Sequence, residues 1–157
     1  MRTACAIVLS AVVGLPMVTA KDRHCQLRLH MEANLHDTLA FATSLPTKVS
    51  GQDAAIERTA RITESDVTAF YPYHAADGSY GALVQLDEHG RVMLEALSIE
   101  GGGSLLFVFV NGRPITELQI DKRVWDGRIY IASGLTGADI KSMKKDWPLI
   151  GQKKKKR

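Results

Sequence analysis

Alternating apolar and polar residues predict extended strands in the first half of the chain. In 24–33, apolar side chains recur at every second position over Leu27–Met31, which is typical of a strand with one buried face. The segment 38–45 is predicted to be its antiparallel partner, and 54–62 to be a third, weaker extended segment. This part of the chain is therefore expected to be rich in β-structure.

A second group of strands is predicted further along the chain. Leu105–Val110 is apolar at every position, which indicates a central strand covered on both faces. Asn111 and Gly112 follow it and favour a two-residue type I′ turn, which needs positive φ at both residues. Pro114 has no backbone N–H, so the return strand is expected to lie at a sheet edge or to begin after the proline.

Three segments have the signals of helix starts. Residues 62–67 and 135–140 share the pattern apolar-Thr-x-x-Asp-apolar, in which the threonine can cap a helix and the flanking apolar pair can close over it. The first helix is predicted to end near 70–71 because Pro72 follows, and the second to end before Pro148. A third helix is predicted over about 88–99, capped by Asp87 and ended by the glycines 101–103.

The order of elements gives a fold class. Strands are also predicted at Tyr80–Leu86 and, after the turn at Asp126 and Gly127, at Arg128–Ala132. Strands and helices in this order predict an α+β fold, with a largely antiparallel sheet and two or three helices packed on one face.

The first twenty residues differ in composition from the rest of the chain. They combine Arg2, an apolar run of about fifteen residues and the small-residue site Val18-Thr19-Ala20, which together predict a secretory signal peptide. The alternative is an anchoring helix, but a spanning segment needs roughly twenty apolar residues. The resulting domain prediction is a signal peptide at 1–20, a β-rich portion at 21–79, an α+β domain at 80–150 and a basic tail at 151–157.

The net charge of +3 conceals an uneven distribution. Arg2 lies in the signal and five cations lie in 153–157, so the body between them carries a net −3. After signal removal, Cys25 is the only thiol and has no partner within its own chain. A domain without a disulfide relies on its core, and 45% apolar residues can build one. We therefore expect an exported protein, either periplasmic or secreted. A domain without a disulfide suits a bacterial periplasm at least as well as an animal extracellular space.

None of the candidate chemical motifs indicates an enzyme. His24, His30 and His36 share parity along a strand, but six-residue spacing separates them by about 20 Å, which is too far for shared metal ligation. Serine, histidine and aspartate could be combined into a triad, yet no nucleophile elbow is present; the residues concerned are Ser79, Ser133, His74, His89, Asp77 and Asp87. The glycines at 101–103 follow a helix, whereas phosphate-binding glycines open one. The sequence predicts no catalytic residue, cofactor, metal or small-molecule site.

The basic tail 153–157 has two interpretations. Five consecutive cations are typical of a solubilising segment, or they attract anionic lipid headgroups weakly. Binding to nucleic acid is not expected of an exported chain.

Residues 80–147 resemble the first periplasmic head subdomain of the SecD/SecDF protein-export translocase subunit. The resemblance is carried by 86–97, 106–120, 126–140 and the helix that follows. The matching positions are glycines, apolar core residues and the helix start at Thr136, and the motif contains no catalytic signature. Membrane helices of the full-length subunit are missing from this sequence, so the resemblance implies a fold and not a translocase motor.

The resemblance implies an exported, non-enzymatic binding module that contacts unfolded polypeptides or an envelope protein. An extended peptide could add to the edge strand that contains Pro114, Ile115, Glu117 and Gln119, next to the structural turn at Asn111 and Gly112. Equally, Pro114 and Glu117 could protect this edge against pairing. The alternatives are an exported hydrolase or metal-dependent enzyme, and a structural protein held at a membrane surface by the tail.

Overall fold

The computed structural model describes residues 24–33, 42–46 and 53–152, which form an α+β fold. The predicted signal peptide, His36 and the tail 153–157 lie outside the described residues. The strands are β1 Leu27–Ala33, β2 Ala42–Pro46, β3 Asp53–Glu57, β4 Ile62–Thr63, β5 Val67–His74, β6 Tyr80–Leu86, β7 Leu105–Val110, β8 Arg113–Gln119 and β9 Arg128–Leu135; the helices are α1 Glu88–Glu100 and α2 Gly137–Asp146.

The strands form two antiparallel sheets, where the sequence predicts one. The larger sheet has the order β2-β3-β1-β7-β8, with β4 also paired to β1, and the smaller has the order β5-β6-β9. Strands from the two predicted portions of the chain are paired with each other, since β1 lies beside β7 and β5 lies beside β6. Strands also make up a larger share of the described residues than a single sheet with helices on one face implies.

The central strand β7 is buried on both faces, as its unbroken apolar run predicts. Leu106 and Val108 lie in the main core with the inward side chains of β1. Phe107 points to the opposite face, where it packs with Ala54 and Ile56 of β3 in a smaller cluster. The prediction that 24–33 forms a strand with Leu27, Leu29 and Met31 inward is also confirmed.

The predicted partner of this first strand is wrong. Among the residues of 38–45 that the structure describes, those in β2 pair with β3, while β1 pairs with β7, β3 and β4. The physical reason is burial, because β7 offers a row of fully apolar side chains that continues the inner face of β1. Pairing with β2 instead would leave that row of β7 without a neighbour in the core.

The helix predicted to begin at Thr63 is also wrong. The capping box of Thr63 and Asp66 forms, but only one 3-10 turn follows, Glu64–Asp66, and the chain continues as β5. The run from Val67 is β-branched and aromatic, which favours a strand. The backbone N–H of Phe70 points to the outer edge of the sheet and donates to the carbonyl of Pro148 at 3.1 Å. Pro72 lies two residues later, so its nitrogen points to the same edge and the missing N–H breaks no bond within the sheet.

The other two helices are confirmed. Asp87 caps α1 by accepting a hydrogen bond of 2.8 Å from Gly90 N–H, and α2 starts at the capping box of Thr136 and Asp139 and ends before Pro148. Both helices bury apolar side chains in the main core. Within 24–33, 42–46 and 53–152, no helix has the length and apolar character needed to cross a membrane.

Candidate interaction surfaces

The hairpin that follows β7 turns at Asn111 and Gly112. Their φ angles are 51° and 77°, and Val110 pairs directly with Arg113 across the turn. Asn111 also binds beyond the hairpin, since its N–H donates to the carbonyl of Gln26 at 2.9 Å. The turn is therefore held against the segment that leads into β1.

The edge strand β8 places the four predicted binding residues in different environments. Pro114 and Gln119 are exposed and Glu117 is half-buried, but Ile115 is only 4% exposed and belongs to the main core. A bulge turns it inward, because Phe109 pairs with Pro114 while Val108 pairs with Thr116. The structure therefore does not bring these four residues together on one surface.

The outer side of β8 approaches the second sheet. A Cβ atom at Gly134 of β9 would lie 3.2 Å from the carbonyl oxygen of Ile115, so the two sheets meet at this point. A peptide that added to β8 would therefore have to bind along its second half, 116–119.

A different surface lies on the outer face of the smaller sheet. Tyr71, Leu83 and Tyr130 occupy one row across β5, β6 and β9, and Tyr73 lies beside them on β5. We call these four residues the tyrosine face. Tyr71 is 56% and Tyr130 58% exposed, whereas the adjacent residues Phe70, Ile129 and Ile131 point into the core. Within the described part of the chain, neither helix covers this face.

Tyr73 holds the tyrosine face in place. Its ring stacks on the ring of Tyr130 with a centroid distance of 5.6 Å and an interplanar angle of 10°. Its hydroxyl donates to the carbonyl of Ile131 at 2.6 Å, and its ring fills the space above Gly81. Burial, followed by the contact with Tyr130, raises the pKa of Tyr73, so the hydroxyl stays protonated and keeps donating.

Ser79, one of the two serines that a catalytic triad could use, has a structural role in the turn before β6. Ser79 Oγ donates to Asp77 at 2.6 Å and accepts from Gly134 N–H at 2.8 Å, next to an irregularity in the pairing of β6 and β9. His74 packs its ring against Tyr80 and is not bonded to this serine. Hydrogen bonds from Ser79 hold the pKa of Asp77 below its usual value. These contacts place Ser79 and Asp77 in the turn before β6.

One cluster, made of Asp66, Asp87 and His89, has metal-ligand types close together. Their potential ligand atoms lie within 4.8 Å of one another. However, Asp66 accepts from Thr63 N–H at 2.8 Å and from His89 Nδ1 at 2.8 Å, and Asp87 caps α1. Burial alone would raise the pKa of Asp66, but the bonds from Thr63 and His89 lower it, and Asp66 raises the pKa of His89. This bonding assigns the cluster to local capping.

The histidines that were considered as ligands have separate partners. His24 Nδ1 bonds to Asp146 at 2.9 Å, and His30 Nδ1 bonds to the carbonyl of Glu57 at 2.8 Å. His30 also contacts Phe109 edge-on with a centroid distance of 5.2 Å. The two imidazoles therefore belong to different parts of the fold.

The sequence did contain a signal for the tyrosine face. Tyr71 and Tyr73 are spaced by two, which is the period of a strand surface, and Tyr130 lies between the inward residues Ile129 and Ile131. The first pair is obscured in the sequence because the helix predicted from Thr63 ends at about 70–71, so Tyr71 falls at its end and Tyr73 beyond it.

The fold is shared with solved structures of SecDF. One is a structure of SecDF, described as a membrane component that enhances protein export; it is 14% identical with a TM-score of 0.56, over 86% of this chain and 72% of that chain. Another is SecDF in a super-membrane-facing form, 12% identical with a TM-score of 0.54, over 78% of this chain and 19% of that chain. No protein-family model and no curated protein matches the sequence.

These similarities confirm the expected SecD-head-like architecture at the level of fold. They also extend it, because 86% of the chain is more than the residues 80–147 that carry the resemblance in sequence. At 12–14% identity, the likeness concerns fold alone.

Proposed function

We propose that this protein is an exported, non-enzymatic module that contacts unfolded polypeptides or envelope proteins through the tyrosine face. The observation that carries the proposal is the exposure of Tyr71 and Tyr130 on a sheet face that no helix covers in the described part of the chain. The shared fold supports a role connected with protein export, since one of the similar structures is a component that enhances it.

The chemistry of the tyrosine face suits a polypeptide partner. Tyrosine offers a large apolar ring with little rotamer entropy to lose and a hydroxyl that bonds to peptide groups. Tyrosine is among the residues that dominate binding energy at protein interfaces. The row next to Tyr71, Leu83 and Tyr130 contains Gln85 paired with Arg128, which places polar groups at one margin of the apolar patch.

Binding is tested with a permanently unfolded, fluorescently labelled polypeptide, such as reduced and carboxymethylated lysozyme. The exported protein should bind it, and the variant Tyr71→Ser/Tyr130→Ser should bind at least about tenfold more weakly. Val92→Ser/Ile99→Ser is the matched control, because these two α1 side chains are also exposed and apolar. Equal loss in both variants, or no loss in the tyrosine variant, would contradict the assignment of the surface.

The edge strand remains a second proposed contact site. Glu117→Lys in the same assay tests it, since a peptide added along 116–119 would lie against this side chain. Reduced binding in Glu117→Lys with normal binding in the tyrosine variant would move the site to β8.

Export is tested separately. Cleavage after Ala20 predicts an intact mass that lacks residues 1–20. A mass that retains them, in the membrane fraction, would identify the segment as an anchor.

A further inference from the structure

The tyrosine face has an exposed cation at its margin. Arg128 lies two residues before Tyr130 on β9, and Ile129 between them points into the core. Because side chains two apart on a strand share a face, the exposed side chain of Arg128 lies on the same side of the sheet as Tyr130. The two residues are about 7 Å apart along the strand.

The register of the smaller sheet isolates this charge. Arg128 pairs with Gln85, which pairs with Ala69 on β5, so the row beside the tyrosines has one cation and two neutral members. On the opposite side of the tyrosines, the uncharged ring of Tyr73 covers Gly81. Among the outward positions of these described rows, only Arg128 carries a charge.

No carboxylate of the described chain neutralises the side chain of Arg128. Asp126 Oδ1 accepts from the backbone N–H of Arg128 at 3.2 Å, but among the described residues no salt bridge joins Asp126 to the guanidinium. Arg58 and Arg128 share this property. The other five arginines within 24–33, 42–46 and 53–152 each lie within 4.0 Å of a carboxylate: Arg28, Arg61, Arg91, Arg113 and Arg123.

A guanidinium beside tyrosine rings suits a carboxylate partner. Its planar donors match the two oxygens of a carboxylate, and its weak hydration lets it lie against aromatic rings. An apolar side chain resting on Tyr71 and Tyr130 would exclude water from this margin, which strengthens a charge pair formed there. A peptide bound at the tyrosine face therefore gains from an acidic residue near its apolar one.

We propose that the tyrosine face prefers polypeptide segments in which an acidic residue lies two positions from an apolar one, and that Arg128 holds the acidic side chain. This inference rests on the function proposed above and adds the class of segment that the surface prefers. In an extended peptide, side chains on one face follow each other at about 7 Å, which matches the step from Tyr130 to Arg128. An acidic residue six positions away would lie about 20 Å from the apolar one, beyond the reach of Arg128.

Three fluorescently labelled peptides test this preference. All are Gly- and Ser-rich, equal in length and built around the apolar anchor Leu-Ser-Leu. The near peptide has Glu two positions after the anchor, the far peptide has it six positions after, and the neutral peptide has Gln in place of the near Glu. In anisotropy titrations with the exported protein, the near peptide should bind about two- to fivefold more tightly than the others, which is the range for exposed ion pairs. The near and far peptides have the same net charge, so attraction to cations elsewhere on the protein cancels.

Variants of Arg128 assign the preference to this side chain. Arg128→Gln should bind all three peptides with equal affinity, whereas Arg128→Lys keeps the charge and should keep part of the preference. Arg58→Gln is the matched control, because Arg58 is also exposed and is the other described arginine without a salt bridge. It should retain the full preference for the near peptide.

Three outcomes would overturn the proposal. They are equal affinities of the near and far peptides for the wild-type protein, a preference that survives in Arg128→Gln, and equal losses in Arg128→Gln and Arg58→Gln. Tighter, Arg128-dependent binding to phosphatidylglycerol vesicles than to the near peptide would assign Arg128 to a lipid headgroup instead.

The same peptides separate this proposal from the proposed function. Tyr71→Ser/Tyr130→Ser should weaken binding of all three, since the anchor is common to them. Binding that depends on the tyrosines but is equal for the near and far peptides would refute the role of Arg128 alone. A preference that depends on Arg128 but not on the tyrosines would refute the tyrosine face as the anchor site.

Discussion

The side-chain amide of Asn111 donates a hydrogen bond of 3.0 Å to the buried carboxylate of Asp139. Asp139 also accepts from Arg113 at 2.5 Å and from Thr136 N–H at 2.9 Å. One carboxylate therefore joins the β7–β8 hairpin to the first turn of α2. Both elements bury side chains in the main core, and Asp139 fixes how the hairpin and the helix sit against each other.

Asp139→Ala should lower the free energy of unfolding by about 2–4 kcal/mol, because it removes a helix cap and leaves buried donors without an acceptor. Asn111→Gly is the milder comparison. It keeps a residue that accepts positive φ and loses only the side-chain bonds, so its cost should be about 1 kcal/mol. Urea denaturation of both variants measures the difference, and equal stabilities of Asp139→Ala and the wild type would refute the role of this carboxylate.

Gly112→Val tests the turn itself. No atom lies within 4 Å of the Cβ position at Gly112, so the cost comes only from forcing a β-branched residue to a φ of 77°. We expect a loss of about 1–3 kcal/mol in thermal or urea unfolding. Gly112→Asn should cost clearly less, because asparagine tolerates positive φ. Similar stabilities for the valine and asparagine variants would show that backbone strain at this position is not what matters.

Gly81 is required by the close approach of Tyr73 and β9. A Cβ atom there would overlap the phenol ring of Tyr73 and lie 2.5 Å from the carbonyl oxygen of Ala132. Gly81→Ala should therefore destabilise the protein by about 1–3 kcal/mol and displace the Tyr73 ring from Tyr130, which near-ultraviolet circular dichroism can follow.

The matched variant for Gly81 is Gly81→Ala/Tyr73→Ala. Removing the ring should not restore stability, since the backbone contact with Ala132 remains. Full recovery in the double variant would show that only the ring limits this site.

Elements whose local signals agree with their tertiary surroundings were predictable from the sequence. The cap at Asp87, the box at Thr136 and the turn at Asn111 each act within four residues, and the apolar run of β7 needs burial on both faces in any fold. For these elements, short-range chemistry and packing favour the same structure.

The remaining features depend on contacts that are distant in sequence. The capping box at Thr63 forms as its pattern predicts, but it is followed by a strand because β6 and the segment 148–150 supply partners on both edges of β5. In the same way, β1 pairs with β7 across almost eighty positions, and no local pattern identifies that partner. The strand period of Tyr71 and Tyr73 is visible in the sequence, but the row that joins Tyr71 to Tyr130 exists only once β5, β6 and β9 are side by side.

Three aspartates should make the protein sensitive to acid. Burial alone would raise the pKa values of Asp66, Asp139 and Asp146, but hydrogen bonds and neighbouring cations hold all three below the usual value. Each therefore contributes stability that is fully present above the unfolded pKa of about 3.9 and is lost as the pH falls through the lower folded pKa. Urea denaturation at a series of pH values should show the free energy of unfolding falling below about pH 4. Asp139→Asn should be less stable at neutral pH and show a shallower fall, and an unchanged slope would contradict this account.

The thiol of Cys25 should be free but unreactive in the folded protein. It is fully buried, and this burial raises its pKa to about 11 although a hydrogen bond from Ser142 lowers it. The nearby carboxylates of Asp146 and Asp139 add smaller increases. Since the thiolate is the reactive species, labelling with a disulfide reagent near pH 8 should be at least about 100-fold slower in the native state than in urea. The unfolded protein should then give one thiol per exported chain. Fast labelling of the native protein, or covalent dimers that Cys25→Ser abolishes, would show that this part of the chain opens and that Cys25 is available to a partner.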